Sequence, residues 1–244
     1  MSIALFATSL LFSRTPQVVE PILWLNPNGR ILLEGKNANP RFAAGARMIR
    51  TNHGATYDFD GRRGGIHFPD LPTFQWTSSM TIALWINPRS YVNDGPGAQI
   101  LFRGDDRNGL DPYSMVIHSD GTINFGISNE QHLGMGVCTE LPLNRWSQVV
   151  ANWDEETGFI KLWLDGELVA TSRTSRKPLA ALEGQYVPGV GIGNVQNEFG
   201  PHNQPFNGMI ADLRLYHQAL SPEEIGFNQN RIDPPQKSSA KLLR

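Results

Sequence analysis

From Asp58 to Tyr216 short apolar runs alternate with turn residues at intervals of roughly ten positions, which predicts a succession of short strands rather than βαβ units. No long apolar period of 3.6 interrupts this pattern. In residues 80–86, Met80, Ile82, Leu84 and Ile86 share one face and Thr81, Ala83 and Trp85 the other. Both faces are largely apolar, so this strand is expected at the centre of a sheet. Residues 115–118 and 122–125 flank Asp120-Gly121, and residues 159–164 and 167–170 flank Asp165-Gly166. An Asp-Gly pair supplies the positive φ of a tight turn, so each flanking pair is expected to form a hairpin. Residues 146–153 lead through the polar loop 154–158 into the second hairpin and complete a three-strand meander. Residues 210–216 alternate as a late strand. Ser221-Pro222-Glu223-Glu224 then carries the reciprocal capping signature with proline at the first helical position, and predicts one short C-terminal helix ending near Gly226. The resulting class is all-β, a two-sheet antiparallel sandwich. Residues 21–231 form its domain, 1–20 a signal-like or disordered start, and 232–244 a polar tail or linker.

Composition supports one domain of this kind. The 244 residues are 40% hydrophobic and 18% charged, with 24 Gly and 17 Pro, enough apolar material for a core and enough breakers for many turns. A net charge of −2 gives no electrostatic reason to expect nucleic acid as a partner. No run approaches the ~20 apolar residues of a spanning helix, so membrane insertion is not expected either. Cys138 is the single cysteine, which excludes an intrachain disulfide and reads as a small buried thiol. Residues 3–12 are apolar, but no Lys or Arg precedes them and no small-x-small site follows. A leader and an edge strand or disordered start both remain open.

Five stretches occur in an order that resembles the laminin-G-like branch of the concanavalin A-like lectin/glucanase superfamily. They are Tyr57-Asp58-Phe59-Asp60-Gly61, residues 80–86, Asn144-Arg145-Trp146 running into Ala151-Asn152-Trp153-Asp154, Leu162-Trp163-Leu164-Asp165-Gly166-Glu167, and Asp212-Leu213-Arg214-Leu215-Tyr216. The resemblance implies a jelly roll with one sheet bent into a concave face. It also implies secretion or a cell-surface location. It leaves function open, because lectins, hydrolases, lyases and adhesion modules share this fold.

Glycoside hydrolysis needs two carboxylates flanking the scissile bond. The single-strand Glu-x-Asp-x-Glu series of hydrolases with this fold is missing: Asp58 and Asp60 alternate without a Glu, and Asp154-Glu155-Glu156 is a loop. Tyr113, His118 and Arg103 are the residue types of a lyase site, with no spacing that joins them. The chain is therefore expected to bind without catalysing. The resemblance implies a structural Ca²⁺ held by Asp212 with N-terminal carbonyls; pairing of Asp212 with Arg214, or capping of a neighbouring turn by it, is the alternative. Ligand recognition is expected on the loops. One carries Asp105, Asp106, Asn108 and Asp111; the other carries Asn194, Gln196, Asn197, His202 and Asn203, whose amides suit vicinal hydroxyls. The two are expected to meet at one rim, with the face around Lys161 and Trp163 as the next candidate. Carbohydrate is the expected partner. A protein surface is the rival, and a hydrolase or lyase the third reading.

Overall fold

The computed structural model describes residues 19–91, 97–104, 111–129, 134–183, 189–195 and 203–227. Its strands are β1 (Leu23–Leu25), β2 (Ile31–Leu33), β3 (Lys36–Asn37), β4 (Arg41–Phe42), β5 (Ala46–Thr51), β6 (Gly54–Asp60), β7 (Ile66–Phe68), β8 (Met80–Pro88) and β9 (Ala98–Gly104). They continue as β10 (Tyr113–Ile117), β11 (Thr122–Ser128), β12 (Gly134–Glu140), β13 (Ser147–Trp153), β14 (Phe159–Leu164), β15 (Glu167–Arg173), β16 (Gly189–Ile192) and β17 (Asn207–Tyr216). A ten-stranded sheet runs β15-β14-β13-β8-β17-β1-β2-β3, with β6 also on β17 and β5 on β6; a seven-stranded sheet runs β12-β11-β10-β9-β16-β7-β4. The ladders pair antiparallel throughout.

The two predicted hairpins form where the Asp-Gly pairs place them. Asp165 and Gly166 both take positive φ (52° and 87°), the backbone of a two-residue turn, and Asp120 Oδ1 accepts the Thr122 N–H at 2.9 Å. Period two then buries one side of the longer central strands in the sandwich. Tyr57 and Phe59 from β6, Ile82, Leu84 and Ile86 from β8, and Ile160 and Leu162 from β14 meet Ile66, Met115, Ile117 and Phe125 from the smaller sheet.

The outer face of the larger sheet is apolar in its centre, and the chain itself covers it. Residues 217–227 cross it as a strap whose Leu220, Ile225 and Phe227 pack on Ala83, Trp85, Val150 and Tyr216. Side chains of the sheet hold the backbone of the strap: Thr81 Oγ1 donates to Gln218 O (2.6 Å), Asn152 Nδ2 to Leu220 O (3.0 Å), Gln148 Nε2 to Phe227 O (2.9 Å) and Arg214 Nη1 to Ile225 O (3.2 Å). The predicted helix is not present. Its capping pair does form, with Ser221 N–H donating to Glu224 Oε2 at 2.7 Å and Glu224 N–H to Ser221 Oγ at 3.4 Å. Past this cap the chain makes a single turn that ends at Gly226 with φ +61°, because the segment gains more by laying its apolar side chains on the sheet than by continuing a helix.

Two further features depart from, or go beyond, the sequence pattern. Cys138 is exposed rather than buried, since β12 is an edge strand whose outer side nothing among the described residues covers. Arg103, 0% exposed on β9, donates from Nε and Nη2 to the two oxygens of Asp70 (2.7 and 3.0 Å) and from Nη1 and Nη2 to the carbonyls of Leu179 and Ala180 (3.2 and 2.5 Å). This buried pair ties two loops to the smaller sheet.

Candidate functional site

β6 carries Tyr57 and Phe59 into the core, so Asp58 and Asp60 stand on the outer face of the larger sheet. β5 sets Arg47 directly opposite Asp58. Arg47 donates from Nε and Nη2 to Asp58 Oδ2 at 3.0 and 2.8 Å, and Arg89, just past β8, donates from Nη1 to Asp58 Oδ1 at 2.6 Å. Arg89 is itself fixed by Asn207 Oδ1 (3.0 Å) and the Phe59 carbonyl (2.5 Å). Asp60 Oδ1 accepts three successive N–H groups, from Arg62, Arg63 and Gly64, at 2.9, 3.0 and 3.1 Å. Burial works against its ionisation, but these donors and the Arg62 charge outweigh burial and hold the carboxyl below the ordinary carboxylate range. Gly45 closes the wall at φ +95°, where a Cβ would stand 2.3 Å from Asp60 Oδ2, so only glycine fits.

Between these groups lies a pocket of about 380 Å³ lined by Gly45, Ala46, Arg47, Asp58, Asp60 and Arg89. Its two guanidiniums and two carboxylates cancel. The volume lies at the low end for small-ligand sites, and fixed donors and acceptors face each other across it. The alternation of Asp58 and Asp60 is legible in the sequence, whereas the pocket is not. Arg47 and Arg89 lie 11 and 31 residues from Asp58, and only strand pairing brings them there.

The expected loop site is distributed differently. Asp105, Asp106, Asn108, Gln196, Asn197 and His202 lie outside the described residues. Asp111 abuts Gly104 at the end of β9. Asn194 and Asn203 lie at the start of that strand, where Gly193 N–H donates to Ile100 O (3.1 Å) and Gln99 N–H to Gln204 O (2.9 Å). The described anchors of the two loops are thus separated by about 15 Å of strand and do not share a rim, because β16 runs antiparallel to β9. Asn194 is fully buried and its amide serves its own loop, donating to Asn203 Oδ1 (2.8 Å) and accepting from Gln204 N–H (3.2 Å). Lys161 and Trp163 stand on the outer face of β14, with Trp163 opposite Val150 and half-buried against the cluster that the sheet and the strap form together. Tyr113 and Arg103 are cross-strand partners, but both are buried and the Tyr113 hydroxyl donates to Phe74 O at 3.0 Å.

Asp212 marks a bulge in β17, with φ +48°. Its Oδ1 accepts from Trp24 Nε1 (2.7 Å) and Arg214 Nε (2.9 Å), and its Oδ2 from Arg214 Nη2 (2.6 Å). A calcium ion would have to displace a bidentate guanidinium, so the residues present do not fit one here. Among the described residues, no three His, Cys, Asp or Glu side chains group as metal ligands.

The comparisons with known proteins agree with this architecture. Mouse Pentraxin-related protein PTX3 is 26% identical over 153 residues, 60% of this chain and 38% of that protein. Jeltraxin of Lepidobatrachus laevis is 32% identical over 85 residues, 33% of this chain and 36% of that protein. The chain thus spans well under half the length of these curated relatives. Domain 4 of the Geobacillus stearothermophilus extracellular arabinanase AbnA, solved with arabinotriose, superposes with a TM-score of 0.61 at 14% identity over 86% of this chain and 98% of that one. The receptor-binding domain of botulinum neurotoxin type G gives a TM-score of 0.60 at 12% identity over 86% of this chain and 51% of that one. At such identities the likeness is one of fold. The family model of the Concanavalin A-like lectin/glucanases superfamily matches residues 60–226, from the last residue of β6 through the strap, and the chain belongs to that superfamily.

Proposed function

We propose that this binding module recognises carbohydrate without catalysing its cleavage, in a secreted or cell-surface setting, and that a short neutral saccharide is held in the Arg47–Asp58–Asp60–Arg89 pocket. The neutral, prearranged pocket carries this reading. A sugar hydroxyl both donates and accepts. Asp60 Oδ2 offers an acceptor and Arg47 Nη1 a donor, neither used by the network around Asp58. Cancelled charge removes any preference for an ionic ligand. The arabinotriose on the arabinanase domain supports a saccharide on this fold.

Spacing alone would admit hydrolysis, since carboxylates two apart on a strand stand roughly 6.5–7 Å from each other, inside the range for inverting enzymes. Protonation argues against it. A general acid must keep a proton at working pH, whereas three N–H groups hold Asp60 below the ordinary carboxylate range, and both Asp58 oxygens are engaged by arginine donors rather than turned to a glycosidic oxygen.

A panel of neutral oligosaccharides, arabino-, xylo- and gluco-configured, tests the proposal by calorimetric titration. At least one should bind, and Arg47→Ala should weaken it at least tenfold, about 1.4 kcal/mol, with the fold unchanged. Product release from any of them would count against a binding role, and affinity unaltered in Arg47→Ala and Asp60→Asn would remove the pocket.

A further inference from the structure

We propose that the outer face of the β14–β15 hairpin is a second, separate binding surface, which takes an extended anionic polysaccharide across Phe159 and holds its charge with Lys161 and Arg173. β14 buries Ile160 and Leu162, so period two sends Phe159, Lys161 and Trp163 outward. Cross-strand register places Arg173 opposite Phe159 and Thr171 opposite Lys161. Two cations therefore lie against one ring: Lys161 Nζ is 5.8 Å and Arg173 Cζ 5.5 Å from the Phe159 centroid, both within cation–π reach.

Neither cation has an acidic partner among the described residues. Of the carboxylates of the neighbouring turns, Glu155 is committed to Lys177, Asp165 to Arg145 and the Gln148 N–H, and Asp154 to its own turn through Glu156 N–H and Thr157 Oγ1, while the exposed Glu156 and Glu167 form no ion pair with Lys161 or Arg173. Arg173 is held in place by Nε donating to Thr157 O at 3.1 Å, which leaves the Nη donors of its fork outward. Unneutralised positive charge thus sits on an aromatic that is 36% exposed. Leu168 and Val169, 53% and 40% exposed, extend the apolar strip beyond Trp163. Apolar surface continuous with unpaired charge is what an interaction site presents.

The form of this surface selects the ligand. β15 is the terminal strand of its sheet, and the strap is anchored on β8, β13 and β17, short of Phe159, so a polymer crossing the hairpin meets neither a further strand nor the strap. The C–H face of a sugar ring covers Phe159, a hydroxyl meets Thr171, and a carboxylate or sulfate lies between Lys161 and Arg173, whose planar fork suits both oxyanions. The strip is a sheet face rather than a projecting loop, which favours a chain laid along it over insertion into a bilayer. Four strand spacings, about 19 Å, separate β14 from β6, so the surface is independent of the neutral pocket.

Polygalacturonate supplies the carboxylate and dextran sulfate the sulfate; unmodified dextran and phosphatidylserine vesicles complete the set for affinity electrophoresis and calorimetry on the full chain. At least one anionic polymer should bind ten times more tightly than dextran, and binding should weaken with salt. The polymer that binds names the anion. Lys161→Glu with Arg173→Glu should abolish binding, Phe159→Ser should weaken it at least fivefold, and Lys161→Arg should retain it. Circular dichroism and melting of each variant separate lost binding from lost folding. Equal binding by the charge-reversed variant, no preference over dextran, or binding to the vesicles alone would overturn the proposal.

Discussion

Asp212 sits where β17 changes neighbours. Residues 207–211 pair with β6, and residues 213–215 pair with β1 on the same side of the strand. One residue must turn the chain between the two ladders, and Asp212 does so in the left-handed region, which aspartate tolerates better than most residues. Its buried carboxylate then joins Trp24 of β1 to Arg214 of β17. Asp212→Ala should therefore cost about 3 kcal/mol in urea denaturation, because it leaves the Arg214 guanidinium without its partner. EDTA should leave the melting curves of both the parent and this variant in place. A chelator-dependent fall in the parent alone would restore a calcium ion at Asp212. The sequence left open whether this residue ligates an ion, pairs with Arg214 or caps a turn, since the choice depends on Trp24, 188 residues away.

At the scale of elements, the short strands β4, β7 and β16 place Arg41, His67 and Gly191 in one cross-strand row. Arg41 Nη2 donates to His67 Nδ1 at 2.9 Å, which requires a neutral imidazole. Burial first and the Arg41 charge second lower the His67 pKa to about 4, against a smaller opposite pull from the Asn194 backbone. An unfolded chain takes up this proton near pH 6.5, so the unfolded state binds more protons between pH 6.5 and 4. The stability tied to neutral His67 is complete above pH 6.5 and falls by up to about 1.4 kcal/mol per pH unit below it. His67→Gln should flatten that slope in urea midpoints measured from pH 7 to 4; an identical slope in both proteins would assign the proton elsewhere. The Asp-Gly hairpins were legible because a turn is written in adjacent residues. Strands of two or three residues such as β3, β4 and β7 were not, because pairing rather than propensity defines them.

For the whole molecule, the strap links the C-terminal part of the described chain to the sheet, and through it to the core. Phe227 packs against Trp85, with ring centroids 5.9 Å apart, and beneath Arg214, whose Cζ is 4.9 Å from its centroid. Phe227→Ala should destabilise the fold by about 3–4 kcal/mol, while exposed Glu223→Ala on the same segment should stay within about 0.5 kcal/mol. Equal denaturation midpoints for these two variants would mean that the strap is not part of the cooperative unit. The linear pattern of residues already dictates an all-β sandwich, residues 80–86 at its centre, two Asp-Gly hairpins, and Lys161 and Trp163 on one face of β14. These features depend on neighbouring residues and on period two, both of which a linear sequence displays. It takes the closed sheets to anchor the two candidate loops at opposite ends of β9, to cover the apolar outer face with the chain's own strap, to bring Trp24 and Arg214 onto Asp212, and to converge Arg47 and Arg89 on Asp58. Each of those depends on which strands become neighbours and in which register, and strands distant in sequence acquire that relation only when the sheets close.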